Sequence, residues 1–207
     1  MPEHVEIADF SEFLPRFAED GLVIVEQFLP TALNQALLHE AVQCTDYRPA
    51  AVGRQQQQQH NLDIRRDQTH WLDGESPAQQ AYLALMQQLQ QAINRQFFIG
   101  LFDFECHFAR YQPGDYYQKH FDAFKGRSNR VLTTVSYLND NSTGGELCIY
   151  DEQDQLLKKV LPAAGSLVLF ESERFAHEVL PARQDRYSIA GWFRCNNSLN
   201  GLIDPSR

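Results

Sequence analysis

His120 and Asp122 stand two residues apart in the stretch Tyr116-Tyr117-Gln118-Lys119-His120-Phe121-Asp122. On a strand, residues i and i+2 point to one face, so an imidazole and a carboxylate can converge on one ion. His177, near the end of a later strand candidate, can supply a second neutral nitrogen. Two imidazoles and one carboxylate on one face of an octahedron leave the opposite face open. That donor set suits a non-haem Fe(II) centre, whose open positions admit a chelating cosubstrate and O2. Taken alone, His-x-Asp has a plainer alternative, a surface histidine beside a surface aspartate.

A second group follows His177. The strand candidate Arg186-Tyr187-Ser188-Ile189-Ala190-Gly191-Trp192-Phe193 places Arg186, Ser188, Ala190 and Trp192 on one face by alternation. If that face points inward, it buries a guanidinium, which is rarely left unpaired. The planar fork of arginine suits a carboxylate. A dicarboxylate bound to a metal at one end would present its far carboxylate to such a residue. The alternative is a strand-end arginine paired with a surface acid. His39, His60, His70 and His107 lack comparable partners and read as surface or internally satisfied residues. Gly144 and Gly145 read as a turn.

Positioning these groups falls to two unlike halves. Before about residue 100 the chain reads mainly as helix. Asp9 to Glu19 carries Phe10, Phe13, Leu14 and Phe17 at helical spacing, Gly21 ends it, and Leu22 to Val25 reads as a strand. A second helix is expected from Thr31 to about Val42. In the third, Ser76, Pro77 and Gln79 form an N-cap, a first-turn proline and a capping box, and Tyr82, Leu85, Leu89, Ile93 and Phe97 keep helical spacing. The run Gln55 to Gln59 reads as a solvated mobile loop or as a lid near a substrate site.

Beyond residue 100, short strands alternate with turns. Candidates are 102–111, 130–138, 146–150, 166–170, 178–181 and 187–194, separated by Pro113-Gly114, Asn139-Asp140-Asn141, Gly144-Gly145 and Ala164-Gly165. This pattern suggests a β-sandwich, jelly roll or barrel braced by the preceding helices.

Composition narrows the partners. The 207 residues carry 18 Lys+Arg against 27 Asp+Glu, a formal charge of −9. Phosphate-rich partners need clustered cations, so nucleic acid is not expected. The first residues lack the basic and apolar regions of a signal peptide, and no apolar run reaches a membrane span. Cys44, Cys106, Cys148 and Cys195 form no C-x-x-C half-site and are expected as reduced thiols in the cytoplasm.

The motifs in order resemble a known family. Tyr111 with Gly114, Tyr117, His120 and Asp122 comes first, followed by Arg130 through Tyr137-Leu138-Asn139. Gly144-Gly145-Glu146-Leu147, Pro162 to Gly165 and Phe170 come next, then His177-Glu178-Val179 and Arg186-Tyr187-Ser188-Ile189 to Trp192. The set resembles the 2-oxoglutarate/Fe(II)-dependent prolyl 4-hydroxylases, and within them bacterial relatives of the hypoxia-sensing enzymes. The match is strong over Tyr111 to Arg194. Ile64-Arg65-Arg66-Asp67 to Trp71 is also similar to the strand leading out of that family's mobile substrate loop.

The resemblance implies an α+β protein with a double-stranded β-helix, or jelly-roll, core braced by N-terminal helices. One oxygenase domain would span 1–207, with helical support over 1–100, a mobile loop near 50–61 and the catalytic core over 101–195. His120, Asp122 and His177 would ligate Fe(II). Arg186 would pair with the distal carboxylate of 2-oxoglutarate, helped by Tyr137 and Ser188. Tyr111 would sit near the iron and cosubstrate, although Gln112 adds a residue before its Pro-Gly relative to the animal enzymes. Thr133, Leu147, Val179 and Trp192 would line the pocket. Which of Tyr116 and Tyr117 faces the site is left open.

The implied reaction consumes O2 and 2-oxoglutarate, releases succinate and CO2, and hydroxylates a C–H bond, with ascorbate as a further cofactor. The implied substrate is a prolyl residue of a protein, with elongation factor Tu as a bacterial candidate by family analogy. The competing readings are the same chemistry on a free amino acid or other small molecule, and a non-enzymatic jelly-roll metal-binding module.

Overall fold

The computed structural model describes residues 8–50, 63–123 and 129–195. Its first helix, α1 (Leu14–Asp20), starts later than the apolar spacing suggests. Pro15 sits in its first turn, where a missing N–H costs nothing, and Phe10 and Phe13 are buried from the turns before it. β1 (Leu22–Val25) and α2 (Thr31–Gln43) follow. α3 (Pro77–Phe97) has the expected cap: the Ser76 hydroxyl accepts from the Gln79 N–H at 3.1 Å. Tyr82, Met86, Leu89 and Ile93 form its fully buried stripe.

Between α2 and α3 the chain adds β2 (Arg48–Pro49), absent from the sequence reading, and β3 (Gln68–Trp71), which falls at the end of the strand the family resemblance placed up to Trp71. Neither is long enough to give a periodicity signal of its own, so only the resemblance pointed to β3. Then come β4 (Leu101–Tyr111), β5 (Tyr117–His120), β6 (Arg130–Tyr137) and β7 (Leu147–Tyr150). β8 (Leu156–Val160), β9 (Leu167–Glu171), β10 (His177–Val179) and β11 (Arg186–Cys195) complete the described residues. β8 was also missed: it is an edge strand with four of its five residues exposed, so it carries no alternation. The expected loop at 50–61, with Gln55 to Gln59, lies outside the described residues from residue 51 onward.

Two antiparallel sheets result. The larger has the order β1-β9-β6-β11-β4-β3-β2, the smaller β5-β10-β7-β8. The larger sheet is covered on both faces. Helix residues Phe17, Leu37, Tyr82, Met86, Leu89 and Ile93 form one cluster with Phe108, Leu132, Ile189 and Phe193. On its other face Tyr111, Val135, Tyr137, Val168 and Phe170 meet Leu147, Ile149 and Val179 of the smaller sheet. Strand β11 therefore buries both sets of its alternating side chains. Gly191 in its middle admits the Phe104 ring, which any Cβ there would strike. This is the α+β jelly roll with helical support, and the space between the sheets holds the candidate site.

Candidate active site

His120 closes β5 and His177 opens β10, and the two are direct cross-strand partners. Their rings lie 4.3 Å apart between centroids. Asp122 is not on the strand. β5 ends at His120, and the carboxylate reaches the same point because the chain bends after Phe121. Its Oδ1 is 3.5 Å from His120 Nε2 and its Oδ2 3.4 Å from His177 Nε2. One atom from each residue lies within 4.8 Å of the others, so the three could hold a metal ion.

The surrounding bonds prepare those atoms. His120 Nδ1 faces the Gln118 carbonyl at 2.7 Å, and His177 Nδ1 faces the Phe175 carbonyl at 3.2 Å. Each Nδ1 is thereby the protonated nitrogen, which leaves an Nε2 lone pair toward Asp122. The Thr133 hydroxyl, on β6, donates to Asp122 Oδ2 at 2.9 Å and lies 2.9 Å from the Ser172 hydroxyl. Burial would raise the Asp122 carboxyl, but the neighbouring His177 and His120 outweigh it and hold it well below the usual carboxylate range. Burial, with the adjacent His177, lowers His120. A carboxylate and a neutral imidazole are the forms in which these side chains bind metal.

Arg186, at the start of β11, is 2% exposed. Its Nη1 donates to the Ser188 hydroxyl at 3.0 Å, and its guanidinium lies 4.7 Å from the Tyr111 ring and 5.0 Å from the Tyr137 ring. Its Nε and the Tyr137 hydroxyl are both buried without a hydrogen-bond partner. Among the described residues no carboxylate forms a salt bridge with it. A buried cation with an orphaned donor beside an orphaned phenol is costly alone. It fits the far carboxylate of a bound dicarboxylate, the chemistry expected of 2-oxoglutarate. Burial raises the Tyr137 hydroxyl against the pull of Arg186, so it remains a neutral donor.

Beside these groups lie the other expected residues. Leu147 and Val179 are cross-strand partners facing the inter-sheet space. Tyr111 pairs directly with Arg186 and packs on it. Trp192 pairs with Thr133 and keeps a buried Nε1 without a partner. Arg130 covers the Trp192 ring at 3.6 Å.

The open choice between the two tyrosines has an answer in the structure. Tyr117 stacks on His120, whereas the Tyr116 hydroxyl turns away to the Asp63 carbonyl.

His107 takes the internally satisfied alternative and not the surface one. It is buried in an aromatic wall with Trp71 and Trp192, ring centroids 5.1 and 5.4 Å away, with Nδ1 on the Phe108 carbonyl. Alternation back from Tyr111 along β4 puts 107 on the cavity face, a signal available in the sequence. His39 is exposed, His70 partly buried, and His60 lies outside the described residues.

The comparisons agree with this geometry. Residues 106–194 match the family described as the 2OG-Fe(II) oxygenase superfamily. The structure superimposes on that of a Pseudomonas putida prolyl-4-hydroxylase with a TM-score of 0.81 at 38% identity, covering 90% of this chain and 99% of the other. The chain belongs to the prolyl hydroxylase family of 2-oxoglutarate/Fe(II) oxygenases. This oxygenase is also similar to a Trichoplax adhaerens prolyl hydroxylase solved with a hypoxia-inducible-factor peptide. That match has a TM-score of 0.75 and 26% identity over 89% of this chain and 88% of that one. Human Egl nine homolog 1 is 27% identical over 87% of this chain and 45% of its own length. The chain thus spans about half the length of the curated relatives it matches first. The family description names 2-oxoglutarate and Fe(II), and the His/Asp/His donor set fits the metal. Among the described residues no helix is long and apolar enough to cross a membrane.

Proposed function

We propose that this dioxygenase is a prolyl 4-hydroxylase acting on a proline within a protein. The observation that carries the reading is the pairing of two incomplete groups: a His/Asp/His donor set, and a buried Arg186 that has no carboxylate partner among the described residues and packs on Tyr111 and Tyr137 of the same inter-sheet space. The prolyl target rests on the 38% identity to a prolyl-4-hydroxylase over nearly its whole length.

In this reading His120, Asp122 and His177 hold the iron through two Nε2 atoms and one carboxylate oxygen. Arg186, Ser188 and the Tyr137 hydroxyl hold the distal carboxylate of 2-oxoglutarate, with Tyr111 packed against the guanidinium. Bound there, the metal and cosubstrate supply the oxidation of a C–H bond by O2, with release of succinate and CO2. The chain's own work is placement. Thr133 fixes the Asp122 carboxylate, and the carbonyls of Gln118 and Phe175 fix the two imidazoles. Leu147 and Val179 keep the inter-sheet space apolar, and Trp192, Trp71 and His107 pack on one another as an aromatic wall beside it. No side chain is needed as a general base.

The four unpaired cysteines support a reducing compartment, and with it a cytoplasmic site of action. Ascorbate enters as the reductant that keeps the iron divalent. The net charge of −9 speaks against nucleic acid as substrate.

The test is an assay of succinate release with Fe(II) and 2-oxoglutarate, joined to mass spectrometry of candidate proteins for the gain of one oxygen on proline. Elongation factor Tu is the first candidate to assay, by analogy with bacterial relatives. Succinate release that survives both His120→Ala and Asp122→Ala defeats the assignment of the site. Turnover of free proline but of no polypeptide would move the substrate to the small-molecule class.

A further inference from the structure

The ring of Tyr117 lies flat against the ring of His120, with centroids 3.6 Å apart and planes 16° from parallel. The guanidinium carbon of Arg65 lies 4.1 Å from the centre of the same Tyr117 ring. A ring has two faces, and the imidazole fills one of them, so the guanidinium covers the other. Guanidinium, phenol and imidazole form a three-layer stack that ends on His120.

The outer layer of the stack is anchored. Arg65 Nε and Nη2 donate to the two oxygens of Asp67 at 2.7 and 2.6 Å, and Asp67 is 1% exposed. That bidentate fork fixes the plane of the guanidinium as well as its position. The backbones are joined too. Arg65 forms a bridge with Tyr117, the Arg66 N–H donates to the Tyr116 carbonyl, and the Gln118 N–H donates to the Ile64 carbonyl. β5 is therefore held between β10 on one edge and residues 64–66 on the other.

His120 needs such a restraint. Its Nδ1 bond to the Gln118 carbonyl holds the ring at one edge, next to its covalent attachment, and does not itself brace the far edge that carries Nε2 against tilting. Tilting swings Nε2 away from Asp122. A plane pressed on the imidazole face blocks the tilt, and the cation on the far side of the phenol adds attraction through the ring quadrupole.

We propose that Arg65 and Tyr117 are positioning residues for the metal centre. Asp67 sets the guanidinium, the guanidinium pins the phenol ring, and the phenol ring sets the plane of His120. Arg65 acts only through Tyr117, and the Tyr117 hydroxyl has no part in it. The inference rests on His120 being a metal ligand, so the test reads metal binding directly, without cosubstrate or substrate.

The experiment is a calorimetric titration of the metal-free full chain with Mn(II), repeated on variants whose circular dichroism matches the parent. Tyr117→Leu is expected to weaken Mn(II) binding about tenfold, the loss typical when a group that orients a metal ligand is removed. Tyr117→Phe keeps parental affinity. Arg65→Lys retains a cation for Asp67 but not the planar fork, and weakens binding about threefold by the same logic. In the Tyr117→Leu background, Arg65→Lys adds no further loss.

A spectroscopic arm covers poor folding of Tyr117→Leu. The visible charge-transfer band of the anaerobic Fe(II)–2-oxoglutarate complex shifts in Arg65→Lys and not in Tyr117→Phe. Parental affinity in both Tyr117→Leu and Arg65→Lys, with loss in His120→Ala, overturns the stack proposal while leaving the metal site intact. Parental affinity in His120→Ala overturns the metal-ligand reading and the stack with it.

Discussion

Gly145 lies against the aliphatic stem of Arg186: a Cβ at residue 145 would come within 2.9 Å of Arg186 Cδ. The backbone there also has φ +71°, a conformation that side-chain-bearing residues avoid. The turn read from Gly144-Gly145 is thus also the space into which the buried arginine extends. Gly145→Ala is expected to destabilise the protein by about 1–2 kcal/mol through backbone strain. It should also raise the KM for 2-oxoglutarate while Mn(II) affinity stays at the parental value. Thermal melts and the two titrations together check this.

Arg186→Lys tests the carboxylate end directly. Lysine keeps the charge but loses the fork and the contact with Ser188. The expected loss is about 2–3 kcal/mol of 2-oxoglutarate binding, or roughly 30- to 150-fold in its dissociation constant. An unchanged constant would place the cosubstrate elsewhere.

Thr133→Val keeps the side-chain shape and removes the hydroxyl that donates to Asp122 Oδ2. The Ser172 hydroxyl also loses its neighbour. Metal affinity should fall about tenfold. The KM for 2-oxoglutarate, measured at saturating iron, should hold.

His107 gives a pH signature. Burial, assisted by the Arg65 charge, lowers its pKa from 6.5 to about 4, while Asp67 pulls the other way. The folded protein keeps His107 neutral, and the unfolded chain takes the proton first. Its contribution to stability is therefore complete above about pH 6.5 and is lost as pH falls toward 4, amounting to about 3 kcal/mol. Denaturant melts of the parent and His107→Gln between those limits should show the shallower slope in the variant. Identical slopes would mean that His107 is not the titrating group.

The Ser76 N-cap of α3 and the alternation of β11 were legible because each depends on neighbours in the chain, although the Gln79 side chain accepts from Gly74 and Glu75 N–H and not from Ser76 as a capping box would have it. The helix cap needs only Ser76 and Gln79, and the inward set of β11 needs only a period of two. The His-x-Asp spacing pointed to the right pair for a reason that holds only in part. Asp122 joins His120 by a bend after β5 and not by strand alternation. β8 left no pattern because its side chains face solvent, β2 was too short to register, and β3 was legible only through the family resemblance.

By itself the sequence determined the candidate reactive groups, their order and a strand-rich second half, since these follow from residue type and local period; the choice of jelly roll over sandwich or barrel came from the resemblance of the ordered motifs to a known family. Tertiary structure alone decided that Tyr117, and not Tyr116, stacks on His120. It also decided that Arg65 closes that stack, that His107 joins the wall with Trp71 and Trp192, and that Gly145 makes room for Arg186. Each of these is a contact between residues far apart in the chain. Such contacts are set by strand register and packing between two sheets, quantities that no local period encodes.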